Sequence, residues 1–187
     1  MIIGIGHTKG QGKDTFAAFL RDYLLSGTHI VSLAGPLYSI CHMLYGHIGF
    51  KTKEWYDANR HISPDLKEVS LSNGFTPRQL LLALGEKGRE IDPVMWIQYA
   101  MSLDRPGTIM LVPDVRHPNE VEAIKQQGGL LIKIVRPIVH VIYESNDIDQ
   151  NLENYDGWDH IVMNNGSLAE LKLQAIEVAK KYDLGNI

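Results

Sequence analysis

Gly10-Gln11-Gly12-Lys13-Asp14-Thr15 lies between the apolar run Met1–Gly6 and a stretch whose apolar residues, Phe16, Ala17, Phe19, Leu20, Tyr23 and Leu24, recur at helical spacing. The segment therefore reads as a strand, a glycine-rich loop and a helix in immediate succession. Glycines let backbone N–H groups curl around an anion. The start of the following helix adds donors and the positive end of its dipole, and a lysine at this junction reaches terminal phosphates and offsets their charge. A ligand-free glycine turn is the alternative reading. The Gly12-Lys13 pair stands at the strand–helix junction that phosphate binding requires, and this favours the phosphate loop.

The loop departs from the usual P-loop spacing in two places. Counting back from Lys13, the first glycine of the pattern falls on His7, with Gly6 one residue early. Asp14 stands where a Ser or Thr normally meets magnesium. Thr15 is then the hydroxyl for a phosphate, while Asp14 either holds a magnesium-bound water or acts as a favourable charge in the first helical turn. The candidate cofactor-binding segment is Lys9, Gly10, Gln11, Gly12, Lys13, Asp14 and Thr15.

Outward from the loop, short β-like runs alternate with helical stretches. His29–Leu33, Thr108–Val112, Leu130–Val135 and Asp159–Met163 join Met1–Gly6 as strands. Helices are expected over Thr15–Leu25, Leu37–Tyr45, Thr76–Leu84 (its end loosened by Gly85 and Gly88), from Asp92–Pro93 through Ala100, over Pro118–Gln127, and over Ser167–Lys181, where Ser167 and Glu170 form a capping box. Such alternation predicts an α/β fold, a three-layer α/β/α arrangement around a central parallel sheet of five strands. The least regular stretches are Gly46–Asn73 and Pro137–Gly157, candidates for covering a substrate.

At 187 residues, with 44% hydrophobic and 21% charged residues, the chain has the size and balance of one globular domain. No apolar run approaches the ~20 residues of a membrane span, and Met1–Gly6 reads as a strand rather than a signal peptide. A net charge of -4 argues against a polynucleotide-coating protein but allows a local basic pocket. The single cysteine, Cys41, cannot form an intrachain disulfide, which predicts a reducing, cytoplasmic setting; its apolar neighbours predict a buried packing role. The eight histidines are dispersed and none pairs into a metal-ligand motif.

Asp114 follows the run Thr108–Val112 and a proline, at the strand end where open α/β sheets bind ligands. It is a candidate for orienting magnesium or accepting a proton. Arg116 is a candidate phosphate clamp, and Arg136, ending Leu130–Val135, a candidate for the transferring phosphoryl group or a purine. The simpler reading of the first two, an Asp–Arg pair capping the helix at Pro118, weakens with a phosphate loop upstream. Arg78 is a candidate for an acceptor phosphate or a solvated surface arginine. Trp96 is either a base-stacking residue or, given its apolar neighbours, a core one. From Pro137 to Leu171 there is no Lys or Arg, so a covering segment there would work without cationic side chains.

Gly12-Lys13-Asp14-Thr15, Leu33-Ala34-Gly35-Pro36, Arg78-Gln79-Leu80 through Ala83-Leu84-Gly85, Val112-Pro113-Asp114-Val115-Arg116, Val135-Arg136-Pro137 and Asn164-Asn165-Gly166-Ser167-Leu168 occur in that order. Together they resemble the bacteriophage-type deoxynucleoside monophosphate kinases, a branch of the P-loop nucleoside monophosphate kinase fold. The resemblance implies ATP- and Mg2+-dependent phosphorylation of a deoxynucleoside monophosphate to the diphosphate. It implies that Lys13 and the backbone from Gly10 to Thr15 hold ATP phosphates, that Ala34, Gly35, Pro36, Arg78, Trp96 and Arg116 shape the acceptor site, that Asp114 serves magnesium or the acceptor, and that Arg136 lies near the donor. The catalytic candidates are thus Lys13, Asp14, Asp114, Arg116 and Arg136, with Asp14 and Asp114 as magnesium contacts, directly or through water. The expected organisation is one P-loop kinase domain over 1–187, with an acceptor-binding helical region about 35–105 and a lid-like segment about 137–157. The location is the cytoplasm, the host's if the chain is a phage one. A polynucleotide or membrane partner is not expected, and a homodimer is left open. Two rivals remain: a P-loop kinase for another small acceptor, such as dephospho-coenzyme A or a phosphorylated metabolite, and a non-catalytic ATP-binding module.

Overall fold

Apolar, β-branched runs too short to be helices become strands here because parallel pairing satisfies their backbone while both faces are covered. The computed structural model describes residues 1–6, 8, 10–24, 27–59, 62–63, 65–137 and 152–186. Its strands are β1 (Ile2–Gly6), β2 (Thr28–Ile30), β3 (Ile109–Val115), β4 (Leu130–Val135) and β5 (His160–Met163). They form one five-stranded sheet in the order β2-β3-β1-β4-β5, parallel throughout. The helices are α1 (Lys13–Leu24), α2 (Gly35–Tyr45), α3 (Lys53–Asn59), α4 (Pro77–Ile91), α5 (Met95–Ser102), α6 (Pro118–Gln126) and α7 (Leu168–Lys181). The expected three-layer α/β/α architecture with a five-stranded parallel sheet is the one observed.

The chain divides into two compact units, Met1–Ser32 with Tyr99–Ile187, and Leu33–Gln98, the cut falling inside α5. The first unit holds the whole sheet. Alternation along β1 sends Ile3 and Ile5 to one face, where they pack with Phe16, Ala17 and Leu20 of α1 and with Leu171, Ala175 and Val178 of α7. Gly4 faces the other side, where a Cβ would lie 2.7 Å from Cδ1 of Ile124 in α6. The sheet order explains this split. From β1 the chain moves one way to reach β2, and from β3 it moves the other way to reach β4. Crossovers of one hand then place α1 and α6 on opposite faces. The loops that leave β1 and β3 part at the C-terminal edge of adjacent strands, where such sheets bind ligands.

In the second unit, α2 to α4 enclose a small aromatic core of Tyr38, Phe50 and Tyr56 with Cys41. Tyr38 and Phe50 lie 5.9 and 5.8 Å from Tyr56, ring centroid to centroid. Cys41 is buried as expected, and burial pushes its thiol up to about 11. α4 opens on a Thr76–Gln79 capping box with Pro77 in the first turn.

Three elements differ from the sequence expectation. β2 ends at Ile30, short of Leu33, although Val31 still donates to the Leu111 carbonyl at 2.9 Å. β3 runs on to Val115. Its register against β1 jumps from Gly4 opposite Val112 to Gly6 opposite Val115, a bulge at Pro113–Asp114, where proline has no N–H to give the ladder. α4 continues through Gly85 and Gly88 to Ile91 instead of loosening there. Gly88 is needed for contact, since a Cβ there would lie 2.4 Å from Trp96 Cζ2, while the Gly85 carbonyl accepts from Trp96 Nε1 at 3.2 Å. Gly46–Asn73 is also less irregular than expected, containing α3 and a 3-10 turn at Gly46–Ile48.

Candidate functional site

The loop between β1 and α1 owes its shape to two glycines in the left-handed region, Gly10 at φ 81° and Gly12 at φ 96°. A side chain at either position would strain the backbone. α1 begins at Lys13, and Phe16 donates to the Gly12 carbonyl at 2.9 Å, closing its first turn. Lys13 is buried, and its ammonium donates to the Thr8 carbonyl. Asp14 is exposed in the first turn of α1, a favourable place for an anion, and Thr15 beside it is half-buried. Lys9 lies outside the described residues, as do His7 and the stretch 138–151 that makes up most of the expected lid-like segment.

Gly6 ends β1 for a reason unrelated to phosphate. A Cβ there would fall 2.4 Å from Cη2 of Trp158, whose ring lies against the strand end. The early glycine is thus accounted for by packing.

Gln11 faces inward rather than outward. It is 2% exposed, and its Oε1 accepts from the backbone N–H of Arg136. Its own carbonyl accepts from Asn164 Nδ2 at 2.8 Å. The loop is therefore tied to the ends of β4 and β5. Arg136 itself is exposed. With Gly6 opposite Lys133, Arg136 leaves the sheet at the same edge as the loop.

The bulge in β3 brings Asp114 out of the ladder. Ser32, just beyond β2, donates from Oγ to Asp114 Oδ2 at 2.7 Å across the neighbouring strand. After it, Arg116 and His117 both give their backbone N–H to Glu120 Oε2, at 2.7 and 3.0 Å. Glu120 is 4% exposed, so a buried carboxylate caps α6. Glu120, three residues after the N-cap His117, is the signal that could have revealed this cap. For Ser32 no such signal exists, because its partner lies 82 residues away.

Of the expected acceptor residues, Ala34, Gly35, Pro36, Arg78 and Trp96 belong to the second unit, and Asp114 and Arg116 to the first. Ala34 and Pro36 open α2, and a Cβ on Gly35 would meet nothing within 4 Å, so the turn there is open. Arg78 pairs through Nε with Glu68 and takes its backbone position from a 3.0 Å bond to the Lys67 carbonyl. Trp96 is 6% exposed, its N–H committed to Gly85. Lys67, in the irregular stretch where no pattern pointed to it, donates to the Tyr38 hydroxyl and sits 4.8 Å over the Tyr38 ring and 5.5 Å over that of Tyr56.

Among the described residues no group of three His, Cys, Asp or Glu could hold a metal by itself. Magnesium takes one or two carboxylates and keeps phosphates and waters as its other ligands; Asp14 stands exposed in the first turn of α1 and Asp114 at the bulge of β3. Among the described residues no helix is long and apolar enough to cross a membrane.

No protein-family model matches the chain. A curated protein of Acanthamoeba polyphaga mimivirus, "Putative deoxynucleotide monophosphate kinase", is 28% identical over 194 residues, which cover 94% of this chain and 94% of that protein. Among solved structures, the Mycobacterium tuberculosis APS kinase CysC in complex with AMPPNP and APS matches at a TM-score of 0.49 and 13% identity, over 96% of each chain. A sugar kinase from Janibacter sp. matches at a TM-score of 0.41 and 13% identity, over 94% of this chain and 91% of that one.

Proposed function

We propose that this protein is a P-loop phosphotransferase that moves the terminal phosphoryl group of ATP onto a deoxynucleoside monophosphate. The observation that carries the reading is the loop itself: two left-handed glycines, a buried lysine and a helix N-terminus, all at the C-terminal edge of β1. Phosphoryl transfer asks little covalent chemistry of the protein and much positioning and charge compensation. In this reading the N–H groups of Gly10 to Thr15 and Lys13 hold the ATP phosphates, with Arg136 beside the donor. Asp114, oriented by Ser32, faces the reacting phosphates, and Arg116 clamps the anion that passes between donor and acceptor. Asp14 and Asp114 would hold a magnesium ion arriving with ATP, through water, and the ion would offset phosphate charge.

The acceptor reading rests on the order of the family-like stretches in the sequence and on the name of the mimivirus relative. From the second unit it takes as acceptor contacts the open turn Ala34–Pro36, and Arg78 with Lys67 beside it. The test is release of ADP from ATP across a panel of deoxynucleoside and ribonucleoside monophosphates, with dephospho-coenzyme A included. Turnover with one or more deoxynucleoside monophosphates is expected. Turnover only with other acceptors would keep the kinase and remove the substrate. ATP binding without any turnover would leave a nucleotide-binding module.

A further inference from the structure

The buried amide of Asn164 bears on the loop from outside it. Asn164 follows β5, is 8% exposed, and is fixed by its own N–H, which donates to the Val135 carbonyl at 2.7 Å. Its Nδ2 donates to the Gln11 carbonyl at 2.8 Å. A Cβ on Gly12 would lie 2.5 Å from that same nitrogen. Gly12 is thus needed for its positive φ and also for the room that Asn164 takes.

A peptide unit is planar and trans, so its carbonyl and its N–H point in opposite directions. Asn164 holds the carbonyl of the 11–12 peptide and thereby turns the Gly12 N–H the other way. The Gln11 side chain, anchored by the Arg136 N–H, prevents the residue from rotating as a whole. An amide buried only for packing would be matched by an apolar side chain of the same size. A buried donor spent on one loop carbonyl sets a direction as well as filling space. We infer that Asn164 is a positioning residue which presents the Gly12 N–H to the donor phosphates before they arrive. The inference rests on the proposed donor role of the loop.

Binding of AMPPNP and of inorganic pyrophosphate, measured by calorimetry, tests this on the wild type, Asn164→Ala and Asn164→Asp, at a temperature where circular dichroism shows each to be folded. The Asn164→Asp carboxylate keeps the shape but cannot donate. Both variants are expected to bind the two probes roughly tenfold more weakly, the worth of one buried hydrogen bond, and to raise KM for ATP while KM for the acceptor stays put. A merely structural lesion would not separate the two KM values. Gly12→Ala displaces the same amide, so the double variant Gly12→Ala/Asn164→Ala should lose less than the two single losses multiplied together. Unchanged probe binding by folded Asn164→Ala, or losses that simply multiply, overturns the inference while leaving the kinase reading in place. Failure of the wild type to bind either probe overturns the kinase reading, and this inference with it.

Discussion

The two units differ in the polar groups they bury, although both carry ion pairs at the surface, Arg21–Asp22 and Lys125–Asp159 in the sheet unit. In the sheet unit, Gln11, Lys13, Glu120 and Asn164 are buried, and each is bonded to a backbone group of the segments that follow β1, β3 or β4. In the helical unit the pairs Lys53–Asp57, Arg78–Glu68 and Lys87–Glu90 stand around a core that is aromatic and aliphatic, with Lys67 over its Tyr38 and Tyr56 rings. A buried polar group must be satisfied at a fixed position or it costs stability, so the first arrangement fixes geometry. Surface pairs are weak and exchange partners easily. A site that must present donors to phosphates in one geometry belongs with the first. A region that must accept an anionic substrate, trading a carboxylate partner for it, belongs with the second.

The largest effect should come from the centre of the first arrangement. Lys13→Ala is expected to lower the transfer rate by a factor on the order of 10² to 10³, the usual loss when one preorganised cation or donor is removed from developing charge. The circular dichroism spectrum should be that of the wild type. Turnover retained near the wild-type rate would break the contrast, since Lys13 would then be structural only.

Gly88→Ala attacks the second arrangement. The added methyl would sit 2.4 Å from Trp96 Cζ2 and 2.8 Å from Met95 Sδ, inside the α4–α5 packing. Overpacking of this kind costs about 1–3 kcal/mol, read as a lower Tm. Affinity for AMPPNP at a temperature where the protein is folded should be unchanged. A loss of AMPPNP binding without a change in Tm would show that the division of labour is wrong.

This contrast also marks what could be read from the chain in advance. The strands and the loop were legible because apolar runs, glycines and a lysine carry their meaning in local order. The length of β3 was not, because Pro113 looks like a stop but is absorbed by a bulge. Nor was the continuity of α4, because Gly85 and Gly88 look like breakers and are in fact the places where Trp96 comes close. The candidate side chains of the site were visible as residue types. Their partners were not: Ser32, Glu120, Asn164 and Lys67 act through folding contacts, and most of those contacts join residues far apart in sequence.

Arg78→Ala sharpens the comparison from the acceptor side. Its guanidinium is shared with Glu68 at a partly exposed position, the two side chains being 27% and 45% exposed. Loss of such a pair should change stability by no more than about 1 kcal/mol. If Arg78 receives the acceptor's phosphate, KM for the deoxynucleoside monophosphate should rise roughly tenfold, with KM for ATP unaltered. Glu68→Gln separates the two roles, since it frees Arg78 and should lower, not raise, the acceptor KM. Equal kinetics for all three proteins would leave Arg78 as a surface arginine.

The smallest effect concerns His160, at the start of β5 in the sheet unit. Its ring stands edge-on to Tyr182 at 5.8 Å, and Lys181 Nζ lies 3.2 Å from Nδ1. An ammonium can only donate, so Nδ1 is the acceptor and the ring is neutral in this contact. Burial first, and the Lys181 charge second, hold the imidazole below its ordinary value of 6.5. Below pH 6.5 the unfolded chain takes up a proton that the folded chain resists, so folding stability falls as the pH drops from 6.5 towards the lowered folded value. Above 6.5 the group contributes no slope. In wild type, Tm should therefore decline on acidification through this window more steeply than in His160→Gln, which has no proton to take up. Lys181→Met should reduce the difference without abolishing it, because burial is the larger cause. Identical Tm profiles for wild type and His160→Gln between pH 5 and 7, the interval in which histidine changes charge, would show that the sheet unit does not hold this polar group as firmly as it holds those at the phosphate loop.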